Sequence, residues 1–303
     1  MVFLSLGAIA ITGALLRRIF PNWNIDDFRK SINMLVLYVL LPALVFKVIY
    51  TSELSQELYQ VPLAVAAGVF GCLGAAWLVI RWAPIANNIK GPLILASAFG
   101  NVTYLGLPVL QGVFANQGLD VSKVAILCEV TVAPLNLIAG SMLAMSFSEN
   151  KGLGFVHSLK QVAKLPPIWA LVIALAAKYL QIPLPTFLLH ATQVLGAAVP
   201  GLMVLSLGMA LQFQRINHLG PILAVSGIKL FLSPLIVFSV GGLMAMNDTY
   251  LQALTIEGAM PTQLLTLVIA DRFKLDTKPL AQAILINTIV AFFTIPLIRW
   301  MLF

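Results

Sequence analysis

Three ionisable residues, Glu129, Lys229 and Glu257, lie inside long apolar runs. A charge at the centre of a bilayer costs at least about 2.5–3.5 kcal/mol, so one retained there marks a candidate for handling ions or anionic solutes. Glu257 opens the stretch Glu257-Gly258-Ala259-Met260-Pro261-Thr262-Gln263, where a cation or a proton could bind beside Asn101, Thr103 and Gln263. Lys229 reads either as its counter-ion or as an attractor for an anionic substrate. Glu129 and Lys229 read equally well as a structural ion pair, or the lysine as one whose head snorkels to water. Asn33, Asn136 and Asn287 are intramembrane amides that serve either as interhelical glue or as ligands.

The same polar residues sit where helices should fail. Gly100-Asn101-Val102-Thr103-Tyr104-Leu105-Gly106-Leu107-Pro108 places two glycines and a proline in an apolar run, and Glu257 to Gln263 does the same with Gly258 and Pro261. Proline removes a backbone donor and glycine lowers the cost of leaving helical geometry. In lipid the freed groups must be satisfied by protein or by a water-lined cavity. Two such breaks predict discontinuous helices crossing at the midplane, whose half-helix N-termini present positive dipole ends to a carboxylate. Simple proline kinks are the plainer reading of either break alone.

The elements that hold these residues follow from composition. Of 303 residues, 60% are hydrophobic and 10% charged, which calls for lipid as solvent. With about 20 residues per span, the chain holds about ten spans, near 2–18, 32–50, 61–82, 91–116, 122–147, 166–182, 186–212, 219–244, 250–271 and 279–302. The apolar N-terminus is followed, not preceded, by Arg17 and Arg18, which reads as a retained first span and not a signal peptide. With both termini outside, thirteen of the basic residues fall on the inner side, among them Arg81, Lys90, Lys151, Arg215, Arg272 and Lys274. Only Lys47, Lys123, Lys178 and Arg299 fall on the outer side, a positive-inside bias.

The net charge of +7 is scattered at span ends without a basic stripe, so no nucleic-acid partner is expected. Cys72 and Cys128 have no metal-ligand or disulfide spacing and read as small core residues, and no cofactor is implied. Gly68, Gly71 and Gly74 read as a close helix-packing face. The chain has no HExxH, no pair of intramembrane aspartates and no serine with histidine at membrane depth, so nothing suggests an enzyme.

Internal similarity organises the spans. Pro62 and Pro221, Pro42 and Pro200, and Gly118-Leu119-Asp120 and Lys274-Leu275-Asp276 are separated by 159, 158 and 156 residues. Each half, 1–150 and 151–303, then carries five spans, and an odd number inverts the second copy, as in secondary transporters. With the 156 offset Asn101 corresponds to Glu257. The expected fold is an all-α integral membrane protein of ten helices in two inverted five-helix repeats, with broken helices 4 and 9 crossed at the centre.

LVLYVLLPALVF in the second span, ASAFGNVTYLGLPVL in the fourth and GAMPTQLLTLVIADRF in the ninth resemble segments of the auxin efflux carrier family. The short connection near residues 149–165 resembles bacterial members more than the plant ones. The resemblance implies a fold shared with the bile acid:sodium symporters, with a scaffold and a transport domain moving as an elevator, and a homodimer. It carries the crossing residues over to Asn101, Pro108 and Pro261, and implies organic carboxylates as substrates.

These readings converge on an expected transporter of small organic anions in the plasma membrane. The expected substrate residues are Asn101, Thr103, Gly106, Pro108, Pro261, Thr262 and Gln263. Coupling to sodium or protons would fall to Glu257, Glu129 and Lys229, with Asn33, Pro42, Asn136, Pro200 and Asn287 as structural polar or helix-breaking positions. A sodium/proton antiporter and a sodium-coupled bile-acid-type symporter are the alternatives.

Overall fold

The computed structural model describes residues 2–20, 22–53, 55–115, 121–148, 155–210, 216 and 218–303. Gly118-Leu119-Asp120, Lys151 and Arg215 lie outside the described residues, as do the side chains of Arg17 and Arg18. The described chain is helical apart from one isolated bridge. Its helices are α1 Val2–Ile19, α2 Ile25–Leu35, α3 Leu41–Thr51, α4 Glu57–Ile80, α5 Asn87–Ala96, α6 Leu107–Val113, α7 Ser122–Leu135, α8 Ser141–Phe147 and α9 Phe155–Val162. They continue as α10 Pro166–Tyr179, α11 Thr186–Ala197, α12 Val199–Ala210, α13 Leu219–Gly227, α14 Ser233–Leu243, α15 Asp248–Gly258, α16 Leu265–Arg272 and α17 Thr277–Leu302.

Four π-helical turns, Val36–Leu40, Val102–Gly106, Asn136–Gly140 and Ile228–Leu232, lie at joints between these helices. Each has a proline within two residues of its end or start: Pro42, Pro108, Pro134 and Pro234. A proline ring clashes with the carbonyl four residues back and leaves it without a donor, and a locally wider turn relieves the clash without breaking the helix. Lys229 and Asn136 both sit in such turns.

Among the described residues six uninterrupted helices are long and apolar enough to cross a membrane: Ile25–Thr51, Glu57–Ile80, Ser122–Phe147, Thr186–Ala210, Leu219–Leu243 and Thr277–Leu302. A seventh results if Phe155–Val162 and Pro166–Tyr179, bent by 59°, form one span. The expected fourth and ninth spans are each divided, into α5 with α6 and α15 with α16, and no single piece is long enough to cross.

Two compact units make up the chain. The first comprises Met1–Ser55, Thr103–Ile126 and Lys164–Gln212, and the second Gln56–Val102, Leu127–Ala163 and Phe213–Phe303. Each takes segments from both sequence halves. In the first unit α1 lies along α12, and α3 lies along α10 and α11. The α1 and α12 backbones approach so closely that a Cβ at Gly13 would collide with the Leu205 carbonyl, and one at Gly208 with Ala10. In the second unit α14 lies along α4 and α15, and α17 along α5 and α13. Gly68 and Gly71 admit Val237 and Ile236 of α14, as the glycine spacing predicts, whereas Gly74 faces open space.

Candidate functional site

The breaks are short. Helix α5 stops at Ala96 and helical structure resumes at Val102; α15 stops at Gly258 and α16 begins at Leu265. Within the second unit the two breaks pair with each other. Gly100 and Thr262 form an antiparallel bridge. The Asn101 amide donates to the Pro261 carbonyl at 2.7 Å, and the Gln263 amide donates to the Phe99 carbonyl at 2.9 Å. Backbone groups that lipid could not satisfy are thus satisfied reciprocally. Pro261 has no N–H, and here it contributes only its carbonyl.

Thr262 locks the pair. Its hydroxyl donates to the Ala96 carbonyl at the end of α5 and accepts from Asn287 Nδ2 of α17 at 2.8 Å. With its one proton committed, Thr262 shapes the junction and has no hydrogen left to give a ligand. The reciprocal bonds make Asn101 the local counterpart of Gln263, an offset of 162 instead of the 156 that set Asn101 against Glu257. The offset is therefore not constant along the chain, and a landmark in a loop does not fix the correspondence at the breaks.

The expected substrate residues do not all gather here. Asn101, Pro261, Thr262 and Gln263 belong to the second unit and meet at the bridge. Thr103, Gly106 and Pro108, all buried, belong to the first unit. Contrary to the sequence reading, the chain from Val102 to Pro108 is helical, and Pro108 lies where the π-helical turn Val102–Gly106 runs into α6. Asn101 Nδ2 and Gln263 Nε2 are buried, and neither has a hydrogen-bond partner among the described residues.

Lys229 is 1% exposed and Glu257 2%. They are not hydrogen-bonded to each other. The Lys229 ammonium donates to the Gly258 carbonyl at 2.7 Å and to Ser233 Oγ at 3.2 Å. It lies against Gly100, where a Cβ would stand 3.4 Å from Nζ. Both Glu257 oxygens lack a partner among the described residues. The two residues line one cavity of about 20 Å³, with Gly100, Ser233, Gly258 and apolar side chains of α4 and α7. That volume admits about one water-sized species. Ser233 was not singled out in the sequence, although it stands four residues after Lys229, the spacing that puts two side chains on one helix face.

The other expected positions divide between roles. Glu129 is half-buried on α7 and does not line the cavity. Asn136 is fully buried with neither side-chain polar atom bonded, and Asn287 keeps an unbonded oxygen while its nitrogen holds Thr262. Asn33 accepts from Ser206 Oγ at 2.6 Å across the first unit, tying α2 to α12. Pro42 and Pro200 stand just after the joints that lead into α3 and α12, inside the spans Ile25–Thr51 and Thr186–Ala210. A separate cavity of about 700 Å³ in the second unit is lined by Asn87, Asn88, Ser146, Ser148 and Lys274 among others, and none of the intramembrane charges reaches it.

Residues 10–299 match the membrane transport protein family. The chain belongs to this family, the auxin efflux carrier family that its motifs resemble. It is 25% identical to an uncharacterized transporter of Methanocaldococcus jannaschii, over 91% of each chain. It is 23% identical to the uncharacterized transporter YfdV of Escherichia coli, over 90% of this chain and 88% of the relative. It is 24% identical to a Rhizobium meliloti protein bearing the name "Putative malonate transporter", over 87% of this chain and 84% of that one. The family and these relatives are transporters and not enzymes, and the chain is a multi-pass membrane protein of that kind.

Proposed function

We propose that the chain moves a small organic carboxylate across the plasma membrane, with Asn101 and Gln263 as the amides that hold the anion. The observation carrying this reading is the pair of buried amide donors, without a partner among the described residues, at a junction closed by reciprocal backbone bonds. A buried donor left unmade costs about 1–3 kcal/mol, and a carboxylate answers two at once. The N-terminus of α16, which begins two residues after Gln263, adds a positive dipole end. Pro261 and Thr262 shape the seat, and Thr103, Gly106 and Pro108 continue the first broken helix away from it. The relative named for malonate points to the same chemical class.

In this reading the chain crosses ten times with both termini outside, and α5–α6 and α15–α16 are the fourth and ninth spans, crossing at their breaks. The second unit, which holds both breaks and the intramembrane charges, is the moving body of an elevator. The first unit, locked by glycine contacts between α1 and α12, is the fixed scaffold, and the working assembly is a homodimer. A second reading, a sodium/proton antiporter or a sodium-coupled symporter, draws on the unpartnered Glu257 carboxylate.

Vesicles reconstituted with the purified protein and loaded with a panel of mono- and dicarboxylates test the proposal. Saturable uptake or exchange of at least one carboxylate is the expected result. Cation flux without carboxylate movement would replace it with the antiporter reading.

A further inference from the structure

The most unusual group in the molecule is the Lys229 ammonium. It is almost fully buried, and its hydrogen bonds go to no acidic side chain. Its acceptors are the last carbonyl of α15 and a hydroxyl, Gly258 O at 2.7 Å and Ser233 Oγ at 3.2 Å. The end of an 11-residue helix carries partial negative charge, which a cation offsets. The wall of the same small cavity holds the Glu257 carboxylate, whose two oxygens have no partner among the described residues. Carbonyl, hydroxyl and carboxylate oxygens around a pocket for one water-sized species are a ligand set for a small hard cation. The cation already there is covalently attached.

We propose that the Lys229 ammonium is a tethered cation that fills, as part of the chain, the place a free monovalent cation would take between Gly258, Ser233 and Glu257, so that transport needs no sodium or potassium. The consequence for transport rests on the anion-transport reading above, whereas the occupancy of the site does not. Two further features fit this placement. The cavity has room for about one water-sized species, the size of an ammonium group. A Cβ at position 100 would stand 3.4 Å from Nζ, in ordinary van der Waals contact, so the bridged break lies directly beside the charge.

Truncation exposes the site. Lys229→Ala removes the ammonium and leaves the three oxygen groups facing an enlarged cavity that a free cation can enter. With purified full-length protein at constant ionic strength, the expected result is a wild-type Tm that is the same in sodium, potassium, ammonium and choline chloride. Lys229→Ala is expected to unfold at lower temperature in choline and to gain about 3 °C or more in sodium or ammonium. In vesicles, wild-type uptake should be equal in sodium and choline, and uptake by Lys229→Ala should recover at least in part with ammonium or sodium.

A wild-type Tm or rate that rises specifically with sodium overturns the proposal, and this arm holds even if Lys229→Ala fails to fold. A folded Lys229→Ala that transports at the wild-type rate in choline, or whose Tm ignores every cation, also overturns it. Vesicles in which no carboxylate moves would defeat the anion reading while the thermal arm still decides the tethered cation.

Discussion

The two units differ most in how they treat buried polarity. Among the described residues, the buried side-chain atoms without a partner belong to Asn101, Asn136, Ser226, Glu257, Gln263, Asn287 and Thr294 in the second unit, and in the first only to Arg29. In the first unit polar side chains close on each other or on backbone: Asn33 with Ser206, Gln111 with Ser122, Lys178 with the Tyr50 and Ser52 carbonyls. Most buried polar groups in folded proteins are bonded, and exceptions call for a reason. One unit is built as a finished solid and the other holds bonding capacity in reserve, the difference expected between a support and a carrier.

That contrast can be broken at its strongest point first. Glu257→Gln is expected to abolish coupled transport in a protein that still folds, with a lowered Tm because the change takes a carboxylate from the cavity it shares with Lys229. A folded variant with full coupled transport removes Glu257 from the mechanism. Next in size, Asn101→Ala and Gln263→Ala should each weaken apparent carboxylate affinity by about 10- to 100-fold, the worth of a hydrogen bond to a charged group. Neither should lower the Tm through a lost bond, since neither side-chain nitrogen has a protein partner to lose. Affinity measured by concentration-dependent uptake, with unfolding followed in parallel, separates the two effects.

The first unit should fail differently. Gly208→Ala forces a methyl into the α1 backbone and should destabilise the protein by about 1–3 kcal/mol, seen in thermal unfolding, with affinity unchanged in the molecules that stay folded. An unchanged Tm would mean that the α1–α12 apposition is looser than described. The smallest effect is expected for Ser206→Ala, which loses one bond to Asn33 at a cost of about 1 kcal/mol and leaves uptake kinetics alone. If Ser206→Ala instead changed affinity as Gln263→Ala does, the division of labour between the units would be wrong.

Much of the outline was legible in the residues because the relevant signals are local. Gly100, Gly258 and Pro261 mark backbone that leaves the helix, and both breaks are present. The glycine spacing from Gly68 to Gly71 reads as a packing face because a missing side chain is visible in sequence. Pro108 lies past the break, in chain that is helical from Val102, a boundary that a proline alone does not mark. Lys229 reads in sequence as a counter-ion to Glu257 or an attractor for an anion; its hydrogen bonds go to the Gly258 carbonyl and Ser233, and it shares a cavity with Glu257.

By itself the sequence determined the solvent, the places where helices must stop or widen, and the identity of the few polar groups taken into lipid, since hydropathy, proline and charge act within a turn or two of where they occur. Only the tertiary structure decided that the two breaks pair with each other and that Asn101 answers to Gln263. It likewise placed Thr262 on the end of α5 and Lys229 on Gly258, and drew each unit from both halves of the chain. The physical reason is that a hydrogen bond is set by which donor and acceptor packing brings within about 3 Å, and residues some 160 positions apart carry no local mark of that meeting.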